Sequence, residues 1–172
     1  EIPESVTSIG DYSFYKCTGL KKIVIPNSLT SIGDSVFKSC DGLTSVVITE
    51  SVTSIGDSAF SDCANLANVT IPNSVTSIGQ WAFGSCDSLT SIVIPNSVTS
   101  IGDYSFANCE KLENVTLSGN LTKIAKDSFC GCTGLASIII PESVTSIDDC
   151  AFEGCTGLTS ITIQNTSLKI YY

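Results

Sequence analysis

Phenylalanine occurs seven times in this 172-residue chain, at Phe14, Phe37, Phe60, Phe83, Phe106, Phe129 and Phe152, each 23 residues after the last. A fixed period of this kind is the mark of stacked repeats, in which each unit buries its apolar side only against its neighbours. Other columns keep the same beat. All five prolines (Pro3, Pro26, Pro72, Pro95, Pro141) share one slot. Seven of the nine cysteines share another, at Cys17, Cys40, Cys63, Cys86, Cys109, Cys132 and Cys155. Leucine repeats from Leu20 to Leu158 and isoleucine from Ile9 to Ile147 in the same register.

The segment from Leu20 to Phe37, LKKIVIPNSLTSIGDSVF, stands for one unit. Leu20, Ile23 and Ile25 are apolar, with Lys22 and Val24 on the opposite face, the period-two signature of a short strand. Pro26 has no N–H for a sheet ladder and ends the strand. Leu29 and Ile32 then point inward from an extended segment, and Gly33 opens a turn. Asp34 is expected to N-cap a single helical turn through Val36, Phe37 and Cys40. The apolar groups of one unit do not offset the entropy of ordering it, so stacking is required.

Composition narrows the function. Seventeen carboxylates face eight lysines, with no arginine and no histidine, for a formal net charge of -9. A phosphate backbone selects clustered Lys and Arg, so nucleic acid is excluded as a natural partner. The missing histidines remove the commonest general base and zinc ligand, and no paired carboxylates converge by spacing. The chain is read as non-enzymatic, with no cofactor and no metal. No apolar run approaches the ~20 residues that span a bilayer. The chain begins inside the repeating pattern, so residues 1–172 are read as one solenoid domain cut from a longer protein, without a signal peptide.

The unit L-x-x-I-x-I-P-x-x-V-x-x-I-G-D-x-x-F-x-x-C resembles the BspA-like, Treponema-type leucine-rich repeat over nearly the whole chain. The resemblance implies a leucine-rich-repeat solenoid. Its expected form is a right-handed, curved stack of seven 23-residue units, with a parallel β-sheet on the concave face and short extended or helical turns outside. It also implies a cell-surface or secreted protein attached to host proteins, extracellular matrix included. The sixth unit departs from the pattern: Ser118-Gly119 stands in the proline slot and Ala125-Lys126 in place of Gly-Asp. A truncated last unit carries Ser167 and Ile170 in the Val and Ile slots.

Outward strand positions are the first binding candidates. Lys22, Val24, Ser45, Val47, Asn68, Thr70, Ser91, Val93, Asn114, Thr116, Ser137, Ile139, Ser160 and Thr162 make a nearly uncharged, β-branched and hydroxyl-rich surface. Such a rigid array docks a partner at little ordering cost, although β-branched residues also simply suit exposed strand positions. Tyr12, Trp81 and Tyr104 decorate the outer turns, where Trp81 and Tyr104 are a less favoured binding patch than flat packing on the adjoining turn. The cysteine column reads as buried thiols, since free Cys packs as a small hydrophobe and no C-x-x-C or histidine accompanies it.

Cys130 and Cys150 lie off that column, 20 residues apart, and both a disulfide and two separate thiols stay open. Asp11, Asp34, Asp57, Asp103 and Asp149 recur singly, which suits capping better than calcium. The N-x-[ST] triplets at Asn68, Asn114, Asn120 and Asn165 are what a Ser/Thr-rich repeat produces by chance. The expected function is therefore a protein-interaction module that docks a host or matrix protein on its concave sheet. The alternative is a structural spacer that associates end to end, with Tyr171 and Tyr172 as a possible cover for the C-terminal edge.

Overall fold

The alternation of Ile23 and Ile25 with Lys22 and Val24 becomes a short parallel strand in the computed structural model, which describes residues 2–170. Seven such strands recur: β1 (Lys22–Val24), β3 (Ser45–Val47), β5 (Asn68–Thr70), β7 (Ser91–Val93), β9 (Asn114–Thr116), β11 (Ser137–Ile140) and β13 (Ser160–Ile163). Between them run two-residue strands: β2 (Ser31–Ile32), β4 (Ser54–Ile55), β6 (Ser77–Ile78), β8 (Ser100–Ile101), β10 (Lys123–Ile124), β12 (Ser146–Ile147) and β14 (Lys169–Ile170). All pairs are parallel and offset by one repeat, as in Ile23↔Val46↔Val69 and Ile32↔Ile55↔Ile78. The extended segment at Leu29–Ile32 is thus a second ladder, which the sequence pattern did not announce. Seven long strands bound six complete strand-to-strand turns, so the expectation of seven full units is one too many.

The columns become stacks. Successive phenylalanine rings lie 5.3–5.7 Å apart and within 9° of parallel from Phe14 to Phe152. This offset stacking is favourable for ring quadrupoles. Phe37, Phe60, Phe83, Phe106 and Phe129 are fully buried. Beside them every column cysteine from Cys40 to Cys155 donates its thiol hydrogen to the phenylalanine carbonyl of the turn before. Cys40 bonds Phe14 O at 3.1 Å, Cys86 bonds Phe60 O at 3.3 Å and Cys155 bonds Phe129 O at 3.1 Å. The cysteines therefore pack and also tie neighbouring turns together.

The outer turn corrects one expectation. No helix forms among the described residues. Ser35 and Ser39 adopt left-handed backbone conformations (φ 56° and 57°), which a right-handed helix does not tolerate. Alternate N–H groups reach the following turn, from Ser35 to Asp57 O, Phe37 to Ala59 O and Ser39 to Ser61 O at 2.8–2.9 Å. The groups between close local turns, such as Lys38 N to Ser35 O at 3.1 Å. Asp34 accordingly caps no helix of its own. Its carboxylate accepts the Asp57 N–H one turn on at 2.8 Å, while Asp57 serves Gln80 N at 2.7 Å. A solenoid satisfies polar backbone between turns where a helix would satisfy it within one. The expected cover of the C-terminal edge by Tyr171 and Tyr172 lies outside the described residues.

Candidate interaction face

The long strands present two outward rows. Register places Lys22, Ser45 and Asn68 in one row, and Val24, Val47 and Thr70 in the other. Ser91 with Asn114, and Val93 with Thr116, continue them, followed by Ser137 with Ser160 and Ile139 with Thr162. The inward neighbours Ile23, Val46, Ile92 and Ile138 are buried, so the alternation leaves the rows no choice but solvent. All nine strand residues expected to bind, from Val47 to Ile139, thus share one face. Val47, Val93 and Ile139 are 53%, 60% and 56% exposed, an unusual position for bare aliphatic side chains. Lys22 is the single titratable group in either row.

The face is not a uniform plane. Long-strand hydrogen bonding is continuous through β1-β3-β5, β7-β9 and β11-β13, with breaks between β5 and β7 and between β9 and β11. Both breaks follow a strand of the same sequence, Asn68-Val69-Thr70 and Asn114-Val115-Thr116. In each, the central valine is only partly buried, whereas the isoleucine or valine of β1, β3, β7 and β11 is buried. A shallow depression lies over each break. One, of about 340 Å³, is flanked by Thr70, Ser91, Val93 and Pro95. The other, of about 350 Å³, is flanked by Thr116, Ile139, Pro141 and Gln164. The recurrence of Asn-Val-Thr was the available signal, yet strand pairing across turns is not a property of one strand.

The outer aromatics are placed elsewhere, on the turns rather than the strand rows. The Trp81 and Tyr104 rings stack at 4.5 Å and 3°, and both residues are partly buried. Gly84 lies under the indole, where an added Cβ would stand 2.5 Å from the Trp81 ring. The indole thus packs flat on Gly84, and Ala107 occupies the next position of that column. Tyr12 and Tyr15 meet edge to face at 5.9 Å near the N-terminal end.

The core thiols offer no nucleophile. Burial pushes Cys63 and Cys109 up to about 12 and Cys86 well above the ordinary thiol range. At neutral pH these sulfurs stay protonated, as their bonds to carbonyl oxygens require. All nine cysteines are unbridged, Cys130 and Cys150 included. No helix of the described residues is long and apolar enough to cross a membrane.

The chain matches the family described as BspA type leucine rich repeat region, in six copies spanning residues 1–113 and 76–172. It is similar to a leucine-rich repeat protein from Bacteroides ovatus, with 37% identity and a TM-score of 0.91 over 96% of this chain and 43% of that one. The leucine rich repeat protein of T. pallidum shares 31% identity and a TM-score of 0.80, covering 83% of this chain and 70% of its own. A leucine rich cell surface protein from Faecalibacterium prausnitzii shares 27% identity and a TM-score of 0.55, with 90% and 62% covered. No curated protein matches the chain. The chain thus spans less than half the length of the Bacteroides ovatus protein.

Proposed function

Because the chain belongs to the BspA-type leucine-rich repeat family, we propose that it is a non-enzymatic protein-interaction module that docks its partner on the long-strand face. The observation that carries this reading is the exposed aliphatics Val47, Val93 and Ile139, each in parallel strand register with a threonine one turn on. A rigid array binds without the cost of ordering itself, and exposed apolar groups release water on contact. The two depressions receive protruding side chains, while Ser91, Asn114 and Ser137 on the neighbouring row supply hydrogen bonds. The partner is a host or extracellular matrix protein, and the module belongs to a cell-surface or secreted protein. The similarity to a leucine rich cell surface protein of Faecalibacterium prausnitzii supports that setting.

Surface plasmon resonance on a panel of matrix proteins tests this, comparing the native chain with an Asn68→Asp/Val93→Glu variant. Loss of binding by a variant that melts like the native chain is the expected result. Binding that persists unchanged removes the long-strand face from consideration. One competing reading, end-to-end association, is favoured by Ile161 and Ile163 on β13, which are 47% and 38% exposed. Sedimentation that reports only monomer disposes of it.

A further inference from the structure

Two outer-turn columns change character together near the C-terminal end. The left-handed slot runs Tyr12, Ser35, Ser58, Trp81 and Tyr104, then Asp127 and Cys150. The slot three residues on runs Tyr15, Lys38, Ser61, Gly84 and Ala107, then Cys130 and Glu153. In two adjacent turns, four positions that elsewhere hold aromatic, small or lysine side chains are thus taken by two thiols and two carboxylates. These are also the two cysteines that leave the buried column.

The structure brings three of the four together. Donor atoms of Asp127, Cys130 and Glu153 all lie within 4.8 Å of one another, the one such grouping among the described residues. Cys150 is exposed and stands outside that grouping. Asp127 is the one buried charged residue among those described, only 6% exposed. Neither ion pair among the described residues, Lys38–Asp62 or Lys123–Asp148, includes it. Its carboxylate faces the Tyr104 phenol and the cluster. A single phenol does not compensate a carboxylate withdrawn from water, whereas a cation does.

We propose that Asp127, Cys130 and Glu153 bind a divalent metal ion of the zinc type, with water in the fourth position. One sulfur and two carboxylate oxygens form a mixed donor set suited to a borderline-soft, tetrahedral ion, and poorly suited to calcium, which takes oxygen alone. Tetrahedral donors at ~2.3 Å (sulfur) and ~2.0–2.2 Å (oxygen) from zinc stand about 3.4–3.8 Å apart. Side-chain rotation closes the cluster by about an ångström to reach this spacing. The Cys130 thiol releases its proton to solvent as its sulfur binds. The ion clamps two successive turns, as the Asp34–Asp57 bond does elsewhere in the solenoid.

The test is titration of the chelator-treated, phosphine-reduced chain with Co²⁺ and then Zn²⁺. One equivalent of Co²⁺ is expected to give thiolate charge-transfer absorption and the intense visible bands of a tetrahedral site, both bleached by Zn²⁺. Cys130→Ser and Glu153→Gln should weaken binding by at least the roughly tenfold that losing even an outer-shell partner costs. Cys86→Ser, in the buried column, should leave it unchanged. Glu153 is exposed, so its variant keeps the fold if Cys130→Ser does not. Absence of saturable binding overturns the proposal, as does binding that survives both Glu153→Gln and Cys130→Ser.

Discussion

The Cys86 thiol donates to the Phe60 carbonyl at 3.3 Å, and the same oxygen also accepts the Cys63 N–H at 3.3 Å. One sulfur thus joins the turn of Phe83 to the turn of Phe60, inside a core where both cysteine and phenylalanine are fully buried. Replacing it by alanine removes the bond and leaves a small void. Cys86→Ala is expected to cost about 1–2 kcal/mol in urea unfolding. Cys86→Ser, whose hydroxyl sits shorter of the carbonyl and is costlier to bury, should cost at least as much. An unchanged midpoint in both variants would show that the thiol only fills space.

The buried column also fixes the direction of pH dependence. Burial pushes Cys63 and Cys109 up to about 12 in the folded chain, against about 8.5 for an ordinary thiol. The folded state keeps protons that the unfolded state gives up. The stabilisation is therefore complete below about pH 8.5 and is lost as pH rises toward the folded values. Each such thiol contributes a slope of at most about 1.4 kcal/mol per pH unit. Urea midpoints should hold level through neutral pH and fall between about pH 9 and about pH 11. A flat alkaline limb would contradict the burial of the column.

Glycine at the outer-turn entry is set by backbone proximity. A Cβ on Gly79 would stand 2.6 Å from the Gly56 carbonyl carbon, and both positions lie where the Asp34 and Asp57 carboxylates reach across turns. Gly79→Ala is expected to destabilise by about 1–3 kcal/mol, because backbone cannot move aside as a side-chain end can. Calorimetric melting measures it. A loss below the error of the melt would mean that adjacent turns slide apart freely.

One serine slot holds both satisfied and orphaned hydroxyls. Ser74 donates to Val52 O at 2.6 Å, as Ser28 and Ser51 do to Val6 O and Leu29 O. Ser97, in the same slot, has a buried hydroxyl oxygen with no partner. Ser74→Ala should therefore cost about 1 kcal/mol, while Ser97→Ala should be neutral or stabilising. Equal losses at the two positions would place an unseen partner on Ser97.

Much of the architecture was legible in the residues of a single unit. Ile23 and Ile25 alternate with Val24, Pro26 ends the strand, and Phe37 with Cys40 recurs in register, so inward and outward faces follow from period alone. The nine binding candidates were found together on one face for that reason. The outer turn was misread because Asp34 before Val36 and Phe37 looks like a helix cap in isolation. Its actual acceptor role depends on Asp57 N–H, which is supplied by another turn.

The limit is general to stacked folds. Period, burial and the identity of the outward rows depend on each unit's own side chains, and the sequence suffices for them. Whether β5 bonds to β7, whether a carboxylate caps its own turn or the next, and whether Asp127, Cys130 and Glu153 meet depends on the distance between turns. That distance is set jointly by every column that packs across the gap, from the phenylalanine stack to the glycine contact. Residues 23 apart are neighbours only after the chain has wound, and hydrogen bonds and metal donors are sensitive to fractions of an ångström.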